Sequence, residues 1–101
     1  MNKTFQFIVS SKDAPIVELT DAGLYIRFAS GIAVAQTIIR HEWPHVAVDL
    51  AGDNSVIGIE SVPAPDKFSI TKIAKEAGVT LPRNYKPTDI EIVPRQIACA
   101  A

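Results

Sequence analysis

Residues 46–62 read V-A-V-D-L-A-G-D-N-S-V-I-G-I-E-S-V, and this stretch decides the fold. Val46, Val48 and Leu50 alternate with Ala47 and Asp49, the period of two that marks a half-buried strand. Gly52, Asp53 and Asn54 form a hairpin turn, since these residue types tolerate the backbone angles of a tight reversal. Residues 55–62 return as the partner strand. Gly58 falls in its middle, where a glycine marks a bulge or the close approach of another group. Upstream, Leu24, Ile26 and Phe28 alternate with Tyr25 and Arg27, the cleanest strand pattern in the chain. Across 21–62 the chain therefore reads as short strands joined by tight turns.

Working outward, residues 3–9 place Phe5, Phe7 and Val9 on one parity, a first strand. Residues 15–19 form the next, with Pro15 at its start, where a missing N–H costs least. Gly23 closes the turn that follows and can supply a positive φ. Residues 32–39 are rich in β-branched side chains and are predicted as a strand, with 41–44 as a connector. The one convincing helix spans about 69–77. Ser69 is its N-cap, Ile70, Ile73, Ala74 and Ala77 its apolar stripe, and Gly78 its left-handed terminator. Residues 81–87 contain two prolines and read as loop, and Ile90, Ile92 and Val93 make a last short strand. The expectation is one α+β domain over 1–101: an antiparallel, mostly meandering sheet with the helix packed on one face.

Composition excludes several classes. Ten Lys and Arg against eleven Asp and Glu are scattered singly, which argues against broad electrostatic binding to nucleic acid or an anionic membrane. The single cysteine, Cys99, cannot close an internal disulfide, as expected of a chain from a reducing compartment. The N-terminal residues lack the long apolar region of a secretory signal. No uncharged run approaches the ~20 residues of a membrane span. A cytoplasmic protein is expected.

Several segments carry a likeness. These are Ala22-Gly23-Leu24-Tyr25-Ile26-Arg27, Val34-Ala35-Gln36-Thr37, Val46-Ala47-Val48-Asp49-Leu50 and Asp53-Asn54-Ser55-Val56-Ile57-Gly58-Ile59-Glu60. Together they resemble the YuzE-like small bacterial domains of unknown function. The resemblance spans a core of about 15–62, with 63–101 as a helix and C-terminal extension beyond it. Gly23 interrupts the family's Asp-Ala-Leu order, and Asn54 stands where the family has a turn glycine. The resemblance implies no reaction. It implies an antitoxin-like role, because such domains look like companions of small toxin-like proteins in bacterial gene pairs.

Candidate chemistry is sparse. His41-Glu42-Trp43-Pro44-His45 spells H-E-x-x-H, the zinc-protease motif that needs both histidines one turn apart on a helix. Pro44 would remove a helical hydrogen bond and clash with the preceding turn. The flanking residues prefer strands, and Glu60 is a poor third ligand from a strand. Residues 73–79, I-A-K-E-A-G-V, resemble the first helix and turn of LacI-type helix-turn-helix repressors. A DNA reader needs a second helix after that turn, and residues 80–86 supply barely one turn before Pro87 stops it. Asp49, Asp53 and Glu60 lack calcium-loop spacing. Ser10, Ser11 and Ser30 lack the G-x-S-x-G context, and Cys99 has no basic neighbour in sequence to activate it. Tyr25 and Trp43 are open to two readings, interface anchor or core. The expectation is a non-enzymatic protein-binding module without metal or cofactor, homodimeric through sheet edges or the exposed sheet face. The alternatives are a minimal zinc-dependent hydrolase using His41, Glu42 and His45, and DNA binding through 69–86.

Overall fold

The computed structural model describes residues 7–9, 14–19, 23–42, 45–62, 69–82, 85 and 90–94, with backbone alone at His41 and Pro94. In chain order the elements are β1 (Phe7–Ile8), β2 (Ile16–Leu19), β3 (Leu24–Arg27), β4 (Gln36–Glu42) and β5 (His45–Leu50). Then come β6 (Val56–Val62), α1 (Ile70–Ala77), β7 (Val79–Thr80) and β8 (Glu91–Pro94). Six strands form one sheet in the order β4-β5-β6-β3-β2-β8, and β1 pairs with β7 apart from it. Every neighbouring pair in the large sheet is antiparallel except β2 with β8, which is parallel. The fold is α+β, with a mixed, largely antiparallel sheet and, among the described residues, one helix.

Register is set by a lateral row of apolar side chains. Val17 lies opposite Ile26, Ile26 opposite Ile59, Ile59 opposite Val48, and Val48 opposite Ile38. Val17, Ile26, Val48 and Ile59 have no exposed surface at all. Burying a side chain of this size stabilises a fold by about 1.5–3 kcal/mol. A slip of one residue in any strand would turn its members of the row outward. Helix α1 covers this face with Ile70, Ile73, Ala74 and Ala77, all within the same apolar cluster.

Both ends of α1 are held as its sequence dictates. The Ser69 hydroxyl accepts from the Lys72 N–H at 3.3 Å. Gly78, at φ 74°, donates its N–H to the carbonyls of Ala74 and Lys75. The hairpin between β5 and β6 also follows expectation, with Ala51 and Ser55 bonded across it at 2.9 Å. There Asn54 takes the left-handed conformation at φ 68°, which a short polar side chain tolerates better than most.

Four expectations need correction. The strand predicted over 32–39 begins only at Gln36 and runs on through His41 and Glu42, the first half of the predicted connector. A register shift between Ile39 and His41 absorbs one extra residue and lets the pairing with β5 continue past Arg40. The first strand pairs in parallel with β7 rather than joining the main sheet, and β7 itself lies just ahead of the predicted loop, where no element was expected. Gly23 has no positive φ. It is required for proximity instead, because a Cβ there would run into the Ser61 carbonyl and the Val62 side chain on β6. The predicted turn at 20–22 lies outside the described residues, as do residues 3–6 of the predicted first strand.

Two substitutions test the helix ends. Gly78→Ala should cost about 1–2 kcal/mol, because a Cβ is disfavoured in the left-handed region. Ser69→Ala should cost about 1 kcal/mol through the lost cap. Urea unfolding should show both as lowered midpoints at constant slope.

Candidate functional site

The face of the sheet away from α1 carries the polar side chains that alternate with the apolar row. Two further rows cross it. One joins Ile16, Arg27, Gly58, Asp49 and Thr37, and the other joins Glu18, Tyr25, Glu60, Ala47 and Ile39. Glu18 and Arg27 form a forked ion pair, with Nε to Oε2 at 2.6 Å and Nη2 to Oε1 at 3.2 Å. This two-point geometry is the strong form of the pairing. It holds the guanidinium above its already high ordinary pKa, chiefly through the hydrogen bond to Glu18.

Arg27 in turn lies over the Tyr25 ring, 5.1 Å from its centroid, within cation–π range. The ring reaches diagonally across β6 to β5, where the Tyr25 hydroxyl donates to Asp49 Oδ2 at 2.8 Å. Thr37 on β4 donates to the other carboxylate oxygen at 2.6 Å. A continuous polar ladder thus runs from β2 to β4. Gly58 makes the crossing feasible, since a Cβ there would collide with the Tyr25 ring and its hydroxyl. The mid-strand glycine is therefore the floor on which the tyrosine lies.

Tyr25 is 7% exposed although it sits on the open face. Burial first, and the Asp49 carboxylate second, push its phenol well above the ordinary tyrosine range. Near neutrality its hydroxyl keeps its proton and donates it to the hydrogen bond with Asp49. Asp49, with a donor on each oxygen, is likewise engaged within the fold.

The H-E-x-x-H residues divide between two strands. His41 and Glu42 end β4, His45 begins β5, and Glu42 lies directly opposite His45. The single helical turn that zinc proteases use is not formed by the described residues, while Trp43 and Pro44 lie outside them. His45 Nε2 is instead 3.1 Å from Glu60 Oε1, a diagonal contact between adjacent strands. Glu60 sits in a strand as expected, yet it meets one of the two histidines. Among the described residues, no group of three or more His, Cys, Asp or Glu is placed to hold a metal ion. Asp53 caps its own turn, accepting from the Ser55 N–H at 3.0 Å and the Ser55 hydroxyl at 2.6 Å. These bonds hold its carboxyl below the usual range. Asp49, Asp53 and Glu60 thus serve three separate arrangements. Ser30 is exposed in a bend, and Ser10, Ser11 and Cys99 lie outside the described residues.

The segment 73–79 does not continue into a second helix. Gly78 leads into β7, which bonds to β1, and the stripe Ile73, Ala74 and Ala77 is buried against the sheet. Among the described residues no helix is long and apolar enough to cross a membrane.

No family model, curated protein or solved structure matches the chain. Its surface must therefore be read from its own residues.

The ladder escaped the sequence reading. Arg27 and Asp49 stand at the polar parity of their strands, Glu18 and Thr37 carry no such signal, and only the register brings the four together. The one available signal was Gly58 in the middle of a strand.

Two outcomes follow. Gly58→Ala should destabilise by about 1–3 kcal/mol through overpacking. In a Tyr25→Leu background that cost should largely vanish, an interaction that a double-mutant cycle measures. The raised Tyr25 pKa means that the folded state holds a proton the unfolded chain has lost. The associated stabilisation is complete below the ordinary tyrosine value of about 10 and is lost as pH rises toward the folded value. Denaturation midpoints on an alkaline pH series should fall more steeply for the native chain than for Tyr25→Phe.

Proposed function

We propose that this chain is a non-enzymatic protein-binding module that associates with itself and holds a small protein partner. The observation that carries this reading is the β4 edge. It is seven residues long and ends the six-stranded sheet. Among the described residues no further strand of the sheet lies beside Gln36–Ile39 on its outer side. An open edge of that length is a template for another strand. Ile39 on this strand is 60% exposed, and Ile32 and Val34 just ahead of it are each 49% exposed.

The opposite edge contrasts with it. β8 has four residues, begins at Glu91 and ends at Pro94. Shortness, charge and proline are the ordinary means of blunting an edge. From Gln36 to Ile39, β4 has none of them. The internally bonded ladder behind it supplies a stiff backing for an incoming strand, and recognition by strand addition draws its affinity from such main-chain bonds. The YuzE-like resemblance supports an antitoxin-like version of this role, with a small toxin-like protein as the partner.

Affinity capture of the full chain from its native host, followed by mass spectrometry, tests the reading. A stoichiometric protein partner is expected alongside the chain itself. Recovery of the chain with no stoichiometric protein would overturn it.

A further inference from the structure

The open edge is self-complementary. Around Thr37 the outer strand reads Val34, Ala35, Gln36, Thr37, Ile38, Ile39, Arg40, with the uncharged residues first and the charge last. We infer that the occupant of the β4 edge is the β4 edge of a second copy, paired antiparallel about a two-fold axis at Thr37. This deepens the protein-binding reading above and rests on it.

The axis is placed at the centre of residues 34–40, and the two faces then decide which side chains meet. Thr37 and Ile39 lie on the open face, opposite Asp49 and Ala47 of β5, and Ile38 lies on the helix side, opposite Val48. Ala35 follows the same edge, its N–H bonded to the Leu50 carbonyl at 2.8 Å. With the axis at Thr37, each Ile39 meets Ala35 of the other copy and each Ile38 meets Gln36. Directly opposed residues of an antiparallel pair share a face, and these pairs satisfy that condition. Arg40 then falls opposite Val34, a residue without charge. Its aliphatic stem can cover that exposed side chain while its guanidinium stays over the Phe7 ring, 5.7 Å from the centroid.

A parallel pairing in register would set Arg40 against Arg40 and Glu42 against Glu42, and like charges directly opposed are unfavourable. The two-fold arrangement avoids this at both ends. A formal net charge of −1 leaves little overall repulsion between copies. Two six-stranded sheets would then join edge to edge into one, and Val34 and Ile39, exposed in the single chain, are covered together.

Sedimentation velocity over a concentration series, on the full chain, tests the inference. A monomer–dimer equilibrium is expected, with Ile39→Lys raising its midpoint by roughly tenfold or more and Ile92→Lys, on the other edge, leaving it unchanged. Circular dichroism on each variant shows whether the fold is retained. Position comes from a second pair of variants, both carrying Cys99→Ser. At the axis, opposed Cα atoms lie about 4.5–5.5 Å apart, within disulfide range. Thr37→Cys should therefore give a disulfide-linked dimer with diamide, and Glu42→Cys should not. A monomer at every concentration would overturn self-pairing while leaving the capture experiment to decide protein binding. A dimer that survives Ile39→Lys, or that cross-links at 42 and not at 37, would overturn the proposed edge and axis.

Discussion

The structure depends on one line of contact, the row in which Val17, Ile26, Ile59 and Val48 meet side by side with no surface left to solvent. Those four residues come from four strands, so the row fixes how each strand is aligned with the next. Because side chains alternate across a strand, fixing one face fixes the other. The ladder from Glu18 to Thr37 is thus a consequence of apolar burial on the far side of the sheet. Its hydrogen bonds tie the alignment down but do not choose it.

The elements legible in the sequence were those whose signal is local. Alternation gave β3 and β5, the Asp53–Asn54 turn gave the hairpin and with it β6, and Ser69 with Gly78 bracketed α1 closely. What escaped was what depends on distant partners. β7 is two residues long and exists because β1 lies beside it. β4 was shifted toward the C-terminus because a bulge carries its pairing past Arg40, and periodicity alone cannot announce a bulge. The parallel pairing of β8 with β2 joins segments from opposite ends of the chain. No turn chemistry exists to signal such a union.

The candidate site was legible in part and for the same reason. Gly58 was marked as a place of close approach, and the structure supplies the group that approaches, the Tyr25 ring. Tyr25 had been open to two readings, and it satisfies neither simply. It is buried, yet within a polar network on the open face. The H-E-x-x-H letters were the most conspicuous motif and the least informative one. A motif is a statement about residues on one helical turn, and here the chain runs out along one strand and back along its neighbour.

The tyrosine and the glycine beneath it also constrain how this lineage can change. A side chain at 58 and the aromatic ring at 25 compete for one space, so a lineage that gains the first is favoured to give up the second, and with it the reach to Asp49. Until then, selection on stability sees the two positions as a single inherited character, written in letters thirty-three places apart.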